Sequence, residues 1–197
     1  MGQGTFCKLE TTPYGCRFII RMIQTPRELT QLLRQGKLIG LADETGFSVA
    51  CDPQNDEAVA KLLQLQLDMG HPLLPTVLVQ DANQVSMYVV KMPEIAYDLV
   101  EFANKPLTVL FAEGKNVSSL LLEKDPEIAV RRSLNAEIQR FIGGFSKGLL
   151  TLPFETSMPP KQTQDLIEGG IGQVISVIKR PQIMRLGANG EVQFIRR

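Results

Sequence analysis

One histidine and three cysteines in 197 residues leave little from which to build a metal centre or a disulfide framework. Cys7, Cys16 and Cys51 form an odd set without the paired spacing of a zinc or disulfide scaffold, and His71 stands alone. No stretch comes near the roughly 18 unbroken apolar residues of a membrane span. The N-terminus lacks the charged, apolar and small-residue zones of a signal peptide, so the expected location is the cytoplasm. Internal repeats, low-complexity segments and Pro-, Ser- or Gly-rich linkers are also missing. With 44% hydrophobic residues the chain is long enough for one substantial core, and one domain is expected.

Net charge is lacking too, but the zero hides a polarity along the chain. Residues 1–42 carry +4, residues 43–130 carry −9 and residues 131–197 carry +5. The basic third holds Arg131, Arg132, Lys179, Arg180, Arg185, Arg196 and Arg197. Brought together by the fold, these would attract phosphate, because arginine forks match phosphate oxygens. Left apart, they are scattered solvated charge. A pI of about 6.6 gives nucleic acid only modest electrostatic help.

What is present alternates between helix and strand signals. Thr25-Pro26-Arg27-Glu28 has the form of a capping box with proline at the first helical position; Leu29, Leu32 and Leu33 supply an apolar face before Gly36 stops the helix. A strand is expected through Leu38, Ile39 and Leu41, returning through Phe47 and Val49 to Cys51. Asn55 can cap a helix carrying Ala58, Val59, Leu62, Leu63 and Leu67, and Pro75 precedes a β-branched run from Thr76 to Val79. Pro93 opens a helix with Ile95, Leu99, Val100 and Phe102. Leu107 to Phe111 and Ile128 to Arg131 read as strands, and Ser133 as the cap of a helix holding Leu134, Ile138, Phe141 and Ile142.

Toward the end, Leu149 to Leu152, Val174 to Ile178, Ile183 to Leu186 and Val192 to Ile195 are short strand-like runs, with Asn189-Gly190 a hairpin signal between the last two. Lys161 to Glu168 is expected to form a short helix. After it, Gly169-Gly170-Ile171-Gly172 can either end that helix or bring backbone amides close to a ligand. Residues 1–21 show turn-forming pieces and one apolar run, Phe18 to Ile20, and are expected to form an arm or an edge strand. Cys7 and Cys16 are expected as free thiols, Cys51 as a buried apolar side chain, and Met69, Met87 and Met92 as core filling.

The most informative stretch is Gly36 to Val59. It delivers Asp43, Glu44 and Thr45 onto a loop between two apolar runs, followed by Asp52-Pro53 and a capped helix. Neighbouring residues on an extended chain point to opposite faces, so Asp43 and Glu44 are not expected to act as a pair.

This stretch resembles the P-T-[ED]-[TS]-x-Y-x-L-x-C signature of the YrdC/YciO family, and the resemblance runs from about Met22 to Leu186. Lys105-Pro106-Leu107-Thr108-Val109-Leu110 is similar to the family's P-G-x-[YF]-T-x-[IL] strand, and Ile128-Ala129-Val130-Arg131 to its [IV]-x-[VM]-R-V-P strand. Ile175 to Ile178 with Ile183-Met184-Arg185-Leu186-Gly187 is similar to its S-T-V-I-D … I-[LV]-R-x-G ending. The resemblance implies an α/β (α+β) fold in which a twisted mixed sheet with flanking helices surrounds a concave, positively charged pocket, here over residues 22–197. It also implies binding of nucleotide or double-stranded RNA and a link to translation and tRNA modification. The best-known members are threonylcarbamoyl-AMP synthases, which join threonine, bicarbonate and ATP with release of pyrophosphate and use magnesium.

Departures from the family pattern lean the chain toward its YciO side. Met69-Gly70-His71-Pro72 stands in place of K-G-R-P, the segment from Leu150 to Ser157 has no S-A-N, and Ala42-Asp43 replaces Pro-Thr. The resemblance makes Thr45, Arg131, Ser176 and Arg185 candidates for binding nucleotide or RNA, with Glu44, Phe47 and His71 lining the pocket and ATP or AMP with magnesium as the ligand. It assigns no catalytic residue. Each candidate also has a plainer structural role: Thr45 bonding its own loop, Arg131 and Arg185 in ion pairs, His71 in a loop. The favoured expectation is a binding protein whose synthase reaction is lost or altered. The alternatives are an active synthase with a rebuilt site and an interaction paralogue with a vestigial pocket.

Overall fold

The computed structural model describes residues 11–12, 15–16, 25–70, 72–123, 125–173 and 177–197. Two short strands, β1 (Thr11–Thr12) and β2 (Gly15–Cys16), pair antiparallel with each other. Cys7, Phe18 to Ile20, His71 and Val174 to Ser176 lie outside the described residues. Everything else is organised around one nine-stranded mixed sheet.

Local chemistry sets the first elements. Helix α1 (Pro26–Arg34) starts in the expected capping box: the Glu28 amide donates to Thr25 Oγ1 at 3.3 Å, and the Thr25 amide to Glu28 Oε2 at 2.7 Å. The chain turns at Gly36, φ +71°, into the hairpin of β3 (Leu38–Asp43) and β4 (Gly46–Cys51). Asn55 caps α2 (Asp56–Asp68), accepting from the Ala58 amide at 2.9 Å. Then follow β5 (Thr76–Val79), the single turn α3 (Ala82–Val85), α4 (Glu94–Glu101), β6 (Leu107–Phe111), the single turn α5 (Ser119–Leu122) and β7 (Ile128–Arg132). The chain closes with α6 (Ala136–Phe145), β8 (Leu149–Pro153), β9 (Ile167–Gly172), β10 (Gln182–Leu186) and β11 (Val192–Arg196).

Strand order is β11-β10-β6-β7-β5-β8-β4-β3-β9, with β10/β6, β5/β7 and β3/β9 parallel and the other neighbours antiparallel. All six residues of β3 and all six of β4 are buried, so these strands show no polar alternation. The reason is helix on both faces of the sheet. Leu29 and Leu33 of α1 and Ile138, Phe141, Ile142 and Phe145 of α6 pack on Ile39, Leu41, Ala50, Leu78, Leu149 and Ile171. On the opposite face, α2, α3 and α4 bury Val59, Leu62, Val85 and Val100 against Val49, Cys51, Val77, Val109 and Leu150. Leu78 pairs in register with Arg131, so Arg131 of β7 lies on the α1–α6 face, one strand past β5.

Several expectations need correction. Ser133 does not cap α6; its hydroxyl accepts from the Asn135 amide, and Asn135 is the cap, leaving Leu134 outside the helix. The helix expected over Lys161 to Glu168 is reduced to a single 3-10 turn, Lys161–Thr163, and the glycine cluster is part of β9. Those glycines serve strand contact: a Cβ on Gly172 (φ +93°) would lie 2.0 Å from the Ala42 carbonyl oxygen of β3. Val177 and Ile178 belong to no strand. Ile95 and Phe102 of the α4 region are 47% and 77% exposed while Ala96 and Val100 face inward, and Met87 is exposed rather than core filling.

Candidate functional site

Asp43 ends β3, Glu44 and Thr45 form the turn, and Gly46 opens β4 at φ +102°. Glycine is required there, because a Cβ would lie 2.6 Å from the Thr156 carbonyl oxygen. That carbonyl accepts from the Phe47 amide at 2.7 Å, which ties the hairpin to the segment following β8. Within the turn, Asp43 Oδ1 accepts from both the Thr45 amide and the Thr45 hydroxyl, each at 2.7 Å. Asp43 Oδ2 accepts from Arg131 Nη2 at 2.7 Å, and Glu44 Oε1 from Arg131 Nη1 at 3.0 Å and the Leu134 amide at 3.1 Å. Asp43, Thr45 and Arg131 are 0%, 1% and 2% exposed.

One guanidinium therefore holds two adjacent carboxylates. The expectation that Asp43 and Glu44 face apart is corrected by the turn: alternation applies along a pleated strand, and Glu44 has already left it. With both acids ionised the cluster carries two negative charges and one positive. Burial first, and the Asp43 charge second, push Glu44 above its ordinary 4.5, against the opposing pull of Arg131. Glu44 Oε2 and Ser48 Oγ are buried without a hydrogen-bond partner among the described residues.

This arrangement has a consequence for pH. A carboxyl held higher in the folded than in the unfolded state makes the native protein bind more protons, so its contribution to stability falls as pH rises from about 4.5 through the folded value. Glu44→Gln is expected to flatten that fall, read as the urea midpoint measured at a series of pH values. A slope unchanged by the substitution would mean that Glu44 titrates as a solvated carboxyl.

The other candidates are dispersed. Phe47 is buried in the core and stacks on Phe154, ring centroids 6.1 Å apart. Arg185 lies on β10 and forms a two-pronged pair with Glu127, at 2.6 and 2.9 Å. His71 and Ser176 are outside the described residues. The basic third as a whole is not pooled into one surface. Arg131 is held by Asp43 and Glu44, Arg132 donates to the carbonyls of Val100, Glu101 and Ala103, and Arg185 is held by Glu127. Arg196 and Arg180 share Glu155, which stands in the segment where the family pattern has S-A-N.

Magnesium with ATP does not fit the hairpin as it stands. Magnesium takes carboxylate oxygens together with substrate phosphates, whereas Arg131 already engages both carboxylates and is itself unavailable to phosphate. Reading by motif notes Asp43 but does not place it among the site residues; the structure shows it neutralising the matched arginine. The signal available was an acid in place of the family's threonine.

A mixed sheet with helices on both faces and a charged hairpin within it define a twisted-sheet α/β protein. A family model for the Sua5, YciO and YrdC proteins, described as "Telomere recombination", matches residues 31–168, and the chain belongs to this family. It is 28% identical over 159 residues to the threonylcarbamoyl-AMP synthase of Photobacterium profundum, spanning 77% of this chain and 84% of that protein. The fold matches E. coli YciO with a TM-score of 0.63 at 20% identity, over 87% of each chain. It also matches P. abyssi Sua5 complexed with L-threonine, with a TM-score of 0.64 at 18% identity, over 82% of this chain and half (50%) of Sua5. Among the described residues, no helix is long and apolar enough to cross a membrane.

Proposed function

We propose that this chain is a divergent Sua5/YciO/YrdC protein that binds nucleotide or RNA and does not run the threonylcarbamoyl-AMP synthase reaction. The observation that carries the reading is the closed cluster of Asp43, Glu44 and Arg131. A synthase must place free cations on a triphosphate as charge develops on the leaving pyrophosphate. Here the arginine at the matched position is buried between two acids, and the Thr45 hydroxyl donates to Asp43 instead of facing a substrate. The sequence supports the same reading through the missing K-G-R and S-A-N segments. Nucleotide or RNA binding is carried over from the family, with Thr45, Arg131, Ser176 and Arg185 as the residues to test and Glu44, Phe47 and His71 as pocket lining; Arg131 reaches a phosphate only by leaving Asp43 and Glu44, and Phe47 a ligand only by leaving the core.

A second reading, an active synthase with a rebuilt site, draws on the 84% of the Photobacterium enzyme that the chain spans. Pyrophosphate release separates the two. With ATP, threonine, bicarbonate and magnesium supplied together, the expected release is no greater than in controls that omit one substrate, while titration calorimetry with AMP, ATP and RNA detects binding. Release that requires all three substrates establishes the second reading. Neither release nor binding leaves the interaction paralogue.

A further inference from the structure

A groove of about 470 Å³ runs between α1 and α6, on the outer surface of the helix layer and apart from the charged hairpin. Arg27, Gln31 and Arg34 line it from α1, at the three- and four-residue spacing of one helix stripe, and Arg140 and Gly144 line it from α6. Among the described residues, no carboxylate lines it. Its cations also differ from most of the other described arginines, Arg197, which lies over the Phe194 ring, aside. Arg131, Arg180, Arg185 and Arg196 each meet a carboxylate, and Arg132 meets three carbonyls. Arg27 and Arg34 make no hydrogen bond or ion pair among the described residues, and Arg140 donates only through Nε, to the Ala136 carbonyl at 3.1 Å. Both terminal nitrogens of Arg140 stay available.

Gly144 is a second, independent sign. Inside a helix glycine costs about 1 kcal/mol relative to alanine, so it needs a reason. Its neighbour Gly143 has one, since a Cβ there would lie 2.4 Å from Gln80 Oε1; a Cβ on Gly144 would meet nothing within 4 Å. No packing demand excludes a side chain at Gly144, and its bareness keeps the groove open above the buried Phe141.

Geometry selects the ligand. Seven residues separate Arg27 from Arg34, about 10 Å along the helix at 1.5 Å per residue, which calls for a ligand carrying more than one phosphate. At about 470 Å³ the groove has the volume of a small-ligand site, room for a short length of one strand and not for a duplex. We propose that the α1–α6 groove binds the phosphodiester backbone of a single nucleic-acid strand, with Arg27, Arg34 and Arg140 each on a phosphate. The inference builds on the RNA branch of the reading above and gives it a surface of its own.

Fluorescence anisotropy with a labelled 12-nucleotide oligouridylate tests it. Three phosphate contacts on a single strand give a slope of about −2 in log K against log salt, or about a 20-fold loss of affinity between 50 and 200 mM. Each of Arg27→Ala, Arg34→Ala and Arg140→Ala is expected to lower the slope by about 0.7. Gly144→Glu, at an exposed position, is expected to abolish binding with a thermal melt no lower than that of the wild type, and Lys91→Ala to change nothing. If the oligonucleotide binds and these variants keep the wild-type affinity and slope, the groove is overturned while the RNA branch stands. Absence of binding to the wild-type protein overturns the groove, and the RNA branch falls with it only if a duplex RNA titrated in parallel also fails to bind. Displacement of the strand by millimolar AMP or inorganic phosphate overturns the strand in favour of a single-phosphate site.

Discussion

Arg131→Leu is expected to destabilise the protein by about 3–5 kcal/mol, the range for breaking a buried ion pair from one side. The loss does not measure the attraction in the pair. It arises because the buried Asp43 and the adjacent, largely buried Glu44 stay behind with no counter-charge. Removing the acids together with the arginine, as Asp43→Asn, Glu44→Gln and Arg131→Leu in one chain, is expected to recover most of the stability, since apolar or neutral replacements of a buried ion group are often close to neutral. Urea denaturation of the two variants beside the wild type reads both effects as midpoint shifts. A loss below about 1 kcal/mol in the single variant would place the cluster among solvated surface pairs.

Gly172→Ala is expected to cost about 4 kcal/mol, by adding a left-handed backbone angle that alanine resists, at about 1–3 kcal/mol, to a steric overlap of similar size. The φ of Gly172 is +93°, and the added methyl would lie 2.0 Å from the Ala42 carbonyl oxygen. Ala42 pairs with Gly172 in the β3/β9 ladder and immediately precedes Asp43, so relief of the clash must shift the strand that carries the ion cluster. The contrast is Gly144→Ala, expected to stabilise by up to about 1 kcal/mol, because helical glycine is the costlier residue and open space receives the methyl. Thermal denaturation of both variants checks the pair. A Gly172→Ala protein within about 1 kcal/mol of wild type would mean that β9 gives way at the edge of the sheet without disturbing β3.

Where local chemistry decides, the fold could be read from the residues. Thr25-Pro26-Arg27-Glu28 starts α1, Pro75 and Pro106 delimit β5 and β6, and Asn189-Gly190 turns β10 into β11. The family and its α/β sheet were legible for a related reason, since the order of short strand motifs survives drift at single positions. Where tertiary contact decides, reading along the chain fails. Lys161 to Glu168 has the polar, flexible character of a short helix, yet β3 needs a parallel neighbour and the glycines beside it let β9 approach. Ser133 and Asn135 are equally good caps in composition, and only the placement of Leu134 beside Glu44 selects the second.

The candidate site divides in the same way. That Thr45 bonds its own turn was one of two readings open to the sequence, and hydroxyl and amide both reaching Asp43 is its structural form. That Arg131 sits in an ion pair was likewise one of two readings open to the sequence. Which acids, and that they are buried, depends on the register of β7 against its neighbours.

The separation in sequence between Arg131 and its partners gives the ion cluster a meaning in time. Asp43 and Arg131 are 88 residues apart. At a synthesis rate of about 5–20 residues per second, the hairpin leaves the ribosome roughly 4–18 s before its counter-charge is made. During that interval β3 also waits for β9, with a bare edge of backbone donors and acceptors. Two unneutralised carboxylates at the tip of such a hairpin keep it hydrated and repel a second copy emerging from a neighbouring ribosome. The same acids that Arg131 later draws into the interior are, in the nascent chain, the kind of charge that edge strands carry against premature pairing.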